Sequence, residues 1–174
     1  MKLLSTKTVF SSKYFKVNQN VIERNGKKFT KDFVERNPVV LIIPYTADEV
    51  YLESQFRDAL GKMNLEIVAG TIEVGGDPLE TAKRELKEEA GLIAKTWKKI
   101  AEWQLSPNMQ AKIHVFAATD LETGEQQLDF DEEITIIKMP LQKALKNIET
   151  GEMITASHIA ALLLFERLVK ERKQ

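Results

Sequence analysis

The sequence predicts an α+β domain, a mixed β-sheet flanked by helices as an α-β-α sandwich, with a small N-terminal β-segment. Three observations predict it. The first third of the chain reads as extended. A continuous run, Val39-Val40-Leu41-Ile42-Ile43, closes on Pro44 as a strand buried on both faces does. Helical apolar spacing then appears in only three places, after Pro78, after Pro140 and from Ala156.

Taken in order, Phe15-Lys16-Val17 and Phe29 to Phe33 alternate as strands, and Asn25-Gly26 between them is a two-residue hairpin signal. Residues 1–37 are read as the N-terminal β-segment and 38–174 as the main domain. Further strands are expected at Val50 to Phe56, Leu65 to Ala69, Ile113 to Ala118 and Ile134 to Ile137. Helices are expected from Pro78 to Ala90, briefly after Pro140, and from Ala156 to about Lys170. The last one spaces Ile159, Leu162, Leu163 and Leu168 along an apolar stripe, with Phe165 less well placed.

A chain of 174 residues suits one domain and buries roughly two-thirds of its unfolded surface. Its 25 basic and 26 acidic side chains nearly cancel, so it lacks the basic footprint of a nucleic-acid binder. Cysteine is absent, which excludes disulfides and thiolate metal sites. Any metal must be held by oxygen or by His114 and His158; each histidine by itself reads as a packed residue and neither is given a role. Without a signal-like leader or a membrane-length apolar run, a cytoplasmic location is the expectation.

The chemistry concentrates in one helix. Asp77 is positioned to cap it, Pro78 fits its first turn, Glu80 has capping-box spacing, and Gly91 ends it where a left-handed residue is wanted. At about 100° per residue, Glu85, Glu88 and Glu89 gather within a quarter of the circumference. Leu79, Ala82, Leu86 and Ala90 form the adjacent apolar face, and Lys83, Arg84 and Lys87 are expected to point away. Carboxylates crowded on one face repel, and a hard divalent cation such as Mg²⁺ or Mn²⁺ removes that repulsion. A glutamate-rich solvated helix face is the competing reading of these residues taken alone.

The wider pattern resembles the Nudix hydrolase box: a glycine, five residues, a glutamate, seven residues, then Arg-Glu-aliphatic-any-Glu-Glu-any-Gly-aliphatic. Gly70 and the run Arg84-Glu85-Leu86-Lys87-Glu88-Glu89-Ala90-Gly91-Leu92 stand in that register. The one departure is the first glutamate, whose place is taken by Gly76. More of the chain, roughly residues 10 to 168, is similar to the ADP-ribose pyrophosphatase branch. Glu66-Ile67-Val68-Ala69-Gly70 resembles its approach to the box, which implies that the Ala69 carbonyl joins Glu85, Glu89 and Glu88 around the metal. Glu53-Ser54-Gln55-Phe56-Arg57 and Asp32-Phe33-Val34-Glu35-Arg36 resemble its substrate-contacting segments. The resemblance thus implies substrate roles for Arg57, Glu66 and Arg36, the last at a neighbouring subunit's site. Ordinary surface ion pairing is the alternative for both arginines. Ser106-Pro107 resembles a Ser-Pro-Gly-Gly loop in which Asn108 and Met109 here replace the glycines.

A general base in this branch comes from an acidic loop after the box. Glu132 is the first candidate, Glu133 the second and Asp131 the third; a solvated loop leading into the strand at Ile134 is the competing reading. The implied activity is metal-dependent hydrolysis of a nucleoside diphosphate sugar, foremost ADP-ribose to AMP and ribose 5-phosphate, with Mg²⁺ or Mn²⁺ as cofactor. A GDP-mannose-like sugar nucleotide, a dinucleotide, or a catalytically impaired nucleotide-sensing fold are the alternatives. The resemblance also implies a homodimer, with no nucleic-acid or membrane partner.

Overall fold

In the computed structural model, which describes residues 1–130 and 132–172, the chain opens with three antiparallel strands. They are β1 (Lys2–Ser11), β2 (Phe15–Arg24) and β3 (Lys27–Arg36). The β2–β3 turn is the expected one: Arg24 pairs with Lys27, and Asn25 and Gly26 both adopt positive φ, 52° and 74°. A two-residue turn of that hand matches the twist of the strands it joins. Residues 1–37 read as a β-segment, with no individual strand placed over Lys2–Ser11. Two register shifts, between Leu3 and Ser5 and between Thr8 and Phe10, interrupt the pairing of β1 with β2, and so the alternation by which a strand is read is lost.

The main domain follows with β4 (Val39–Pro44), β5 (Glu49–Arg57), β6 (Lys62–Glu66) and β7 (Val68–Thr71). The single strand expected over Leu65 to Ala69 is in fact two. The chain changes sheets at Ile67: β6 pairs with β5, while β7 pairs with β4. At the break the Ile67 N–H donates to Nδ1 of His158 at 3.0 Å, so the backbone group released from the ladder is still satisfied.

Next come α1 (Pro78–Ala90), β8 (Leu92–Gln104), the two-residue β9 (Met109–Gln110), β10 (Lys112–Thr123), β11 (Ile134–Pro140), α2 (Leu141–Glu149) and α3 (Ala156–Arg172). Strand β8 was also missed. It lies at a sheet edge, paired among the described residues only to β10, and carries Lys95, Lys98 and Lys99 where a buried strand would carry apolar residues.

The described residues form three sheets. The N-terminal sheet runs β1-β2-β3-β9. The central sheet runs β7-β4-β10-β8 and is mixed, because β4 and β10 are parallel; β11-β5-β6 is antiparallel. The run at Val39 is continuous because β4 is covered on both sides. Leu41 and Ile43 pack into a core with Leu162 and Phe165 of α3, whereas Val40 and Ile42 meet Ala82 and Leu86 of α1. In α3 the stripe is shifted from expectation: Phe165 is buried and meets the Tyr45 ring edge-on at 4.9 Å, while Leu163 is exposed. Among the described residues no helix is long and apolar enough to cross a membrane.

Candidate active site

Helix α1 begins and ends where its capping residues require. Asp77 accepts from the N–H groups of Leu79 and Glu80, both at 2.9 Å. Glu80 itself puts its Oε1 2.7 Å from Lys83 Nζ. At the other end Gly91 adopts φ 60° and donates to the Leu86 and Lys87 carbonyls. Ala82 and Leu86 are fully buried, which fixes the rotation of the helix and turns its acidic face along β7 and β5.

Along β7, Gly70 follows Ala69, and the Glu85 side chain lies directly over it. A Cβ at Gly70 would stand 2.1 Å from Glu85 Cγ, so only glycine lets the carboxylate cross the strand there. Arg84 does not point away as expected: it donates to Glu88 and Glu85, each at 2.6 Å. Two carboxylates within reach hold its guanidinium on the acidic side of the helix. Burial raises the Glu85 carboxyl above its ordinary range, against the opposing charge of Arg84.

Glu89 is 8% exposed and meets Glu53 of β5, which is 2% exposed. Their carboxylates lie within hydrogen-bonding reach of each other, yet Glu53 Oε1 and Glu89 Oε2 have no partner among the described residues. Burial comes first and holds both groups well above the usual carboxylate range; the charge of Glu53 adds to the rise at Glu89, whereas the contact with Glu89 lowers Glu53 and the charges of Glu66 and Glu132 raise it. Sequence reasoning did not single out Glu53. The available signal was alternation: Tyr51, Glu53, Gln55 and Arg57 share one face of β5, opposite Val50 and Leu52.

The acidic loop is tied to the same helix. Gln126 donates to the Glu89 carbonyl at 2.6 Å and to the Ile134 carbonyl at 3.2 Å, and Gln127 N–H donates to the Glu88 carbonyl at 2.8 Å. Glu132 is thereby brought close enough that its charge raises Glu53, Glu85 and Glu89. Its own Oε2 accepts the Asp129 N–H at 3.0 Å. Glu133 is exposed, and Asp131 lies outside the described residues.

Beside this cluster, Arg57 donates through Nε and Nη2 to the two Glu66 oxygens, both at 2.7 Å. Glu66 also accepts from Asn64 at 2.8 Å, and His158 Nε2 lies 4.0 Å away. Burial pushes Glu66 up, but these hydrogen bonds and charges prevail and hold it below its ordinary range. Burial takes His158 down to about 4, so it is neutral and accepts from Ile67. Arg36 belongs instead to the N-terminal sheet. It ends β3 next to Glu35, which pairs with Gln110 just beyond the Ser106-to-Met109 turn. Gly76 closes a tight turn, its N–H donating to the Glu73 carbonyl at 2.9 Å; an added Cβ would meet that oxygen at 3.1 Å.

As the side chains stand, no three carboxylate or imidazole groups among the described residues close into a cation cage. The donor set nevertheless fits a hard divalent ion. It is all oxygen, two of its buried oxygens are unsatisfied, and the nearest guanidinium groups are committed to Glu66, Glu85 and Glu88.

The NUDIX domain family model matches residues 35–161. The chain is 33% identical over 166 residues to an ADP-ribose pyrophosphatase of Bacillus subtilis, covering 92% of this chain and 90% of that one. It is 30% identical to a methanol dehydrogenase activator of Bacillus methanolicus, with the same coverage. A crystal structure of an ADP compounds hydrolase superposes with a TM-score of 0.87 at 25% identity, covering 98% of this chain and 95% of that one.

Proposed function

The chain belongs to the NUDIX domain family as a pyrophosphohydrolase related to the ADP-ribose pyrophosphatases, and from that premise we propose metal-dependent hydrolysis of a nucleoside diphosphate sugar. ADP-ribose and water would give AMP and ribose 5-phosphate. The observation that carries this reading is the buried pair Glu53 and Glu89, facing each other with unsatisfied oxygens beside two further acidic groups. Burying carboxylates without a counter-charge is costly, and the fold tolerates it where a ligand repays it.

Glu85, Glu89 and the Ala69 carbonyl are the proposed metal ligands, with Glu88 a further ligand or an orienting group. A bound Mg²⁺ or Mn²⁺ supplies positive charge to the diphosphate oxygens and makes a neighbouring water more acidic. Glu132 takes a proton from the water that adds to phosphorus while the bridging P–O bond breaks; Glu133 is second in line. Arg57 contacts a phosphate or ribose oxygen, and Glu66 serves the substrate by holding that guanidinium in one plane. Arg36 serves the site of a neighbouring subunit in a homodimer. Support for the dimer comes from β1, exposed along its whole length with Leu3, Val9 and Phe10 in solvent.

A different sugar nucleotide, GDP-mannose-like, or a dinucleotide is favoured only by Asn108 and Met109 in the turn beside β3. Gly76 favours a nucleotide-sensing role with weak turnover. The discriminating experiment measures AMP or GMP release from ADP-ribose, GDP-mannose and diadenosine diphosphate with Mg²⁺ or Mn²⁺. ADP-ribose is expected to be cleaved fastest. No nucleotide release from any of them, with either metal, sinks the reading.

A further inference from the structure

One member of the buried acidic pair lies outside α1. Glu53 sits in the middle strand of its sheet, opposite Glu66 on β6 and Ile136 on β11. It is 2% exposed, and its Oε1 has no partner among the described residues. Its neighbour Glu89 is 8% exposed and also has an oxygen without a partner. The cationic groups nearest in the fold are already engaged. Arg57 is bound through two hydrogen bonds to Glu66, and Arg84 to Glu85 and Glu88. Two carboxylates meeting in a buried setting need something positive between them, a cation or a shared proton.

We propose that Glu53 is a ligand of the same divalent cation as Glu89, so that β5 supplies a metal carboxylate from outside the helix. The chain lacks a carboxylate at Gly76, and Glu53 restores the count of acidic groups available to the ion. One unsatisfied buried oxygen belongs to each partner. A divalent ion has six or more coordination positions and can take an oxygen from each. The inference rests on the metal-dependent reading above and goes beyond the helix motif that suggested it.

The test is Mn²⁺ binding to the full chain without substrate, followed by calorimetry and by loss of the free-ion electron paramagnetic resonance signal. Wild type, Glu53→Gln, Glu53→Met and Glu89→Gln are compared. Methionine fills a similar volume without a buried charge, so its variant folds even if the glutamine variant does not. Both Glu53 variants are expected to weaken Mn²⁺ binding by at least about tenfold, as Glu89→Gln does. They are also expected to lose most of the melting-temperature rise that Mn²⁺ gives wild type. Mn²⁺ affinity within twofold of wild type in either folded Glu53 variant, while Glu89→Gln loses it, overturns the inference and leaves the functional reading standing. Failure of wild type itself to bind Mn²⁺ overturns both.

Discussion

Carboxylates in two regions of this molecule meet opposite fates. On the β8–β10 edge, Glu102 accepts from Lys99 at 2.6 Å and Lys112 at 3.0 Å, with His114 at 3.4 Å. Those lysines hold its carboxyl down at about 2. Between α1 and β5, Glu53 and Glu89 are pushed the other way, by burial above all and by the carboxylates packed around them. The Glu102 carboxylate is satisfied by flexible cations that any solvated strand can recruit. The buried cluster has its neighbouring arginines spent elsewhere and oxygens left over. Counting charges does not separate the two regions; what each carboxylate is bonded to, and how dry it is, does.

That contrast can be broken most decisively at Glu89. Glu89→Gln at saturating Mg²⁺ is expected to lower turnover by about 10³-fold, because it removes a group that stabilises charge only in the assembled site. Steady-state AMP release measures this, and near-normal rates would return the buried cluster to the same standing as the edge carboxylate. Glu132→Gln comes next, with an expected loss of about 10²-fold in kcat, read from steady-state AMP release. An unchanged rate removes Glu132 from the proton transfer.

A smaller effect sharpens the burial half of the comparison. His158 is neutral in the fold and titrates at about 4, below its unfolded value near 6.5. The folded state therefore binds fewer protons than the unfolded state between those values. The stability it contributes is fully present above pH 6.5 and is lost as pH falls through about 4. The loss amounts to at most about 3 kcal/mol. Chemical denaturation of wild type from pH 7 to pH 4 should show this decline, and His158→Gln should flatten it. Parallel curves for the two proteins would mean that the buried histidine is not what senses acid. The smallest effect belongs to Glu102→Gln, which should leave the melting temperature and Mg²⁺-dependent turnover unchanged within error at neutral pH. A large change in either would mean that the edge carboxylate has a role its bonding does not suggest.

Legibility followed the range of the interactions involved. Helix α1 was readable to the residue because Asp77, Pro78 and Gly91 act within one turn of it, and its acidic face follows from helical spacing alone. Arg84 was misjudged because helical position fixes where a side chain leaves the backbone, whereas its two carboxylate partners decide where the guanidinium ends. Strands β1 and β8 escaped notice for a related reason: each is an exposed edge with pairing shifts, so neither carries the alternation that burial imposes. The strand expected across Ile67 shows the limit from the other side, since five apolar-rich residues look continuous whether they stay in one sheet or cross to another.

From sequence alone came the helix, its caps, the Asn25-Gly26 turn and the doubly covered β4, all set by local hydrogen bonding and short periodicities. Tertiary structure alone decided that Glu53 is buried against Glu89, that Arg57 is held by Glu66, and that Gln126 and Gln127 hold the acidic loop to α1. Desolvation is the physical reason. A carboxylate's environment depends on what packs over it from distant parts of the chain, and no window of neighbouring residues contains that information.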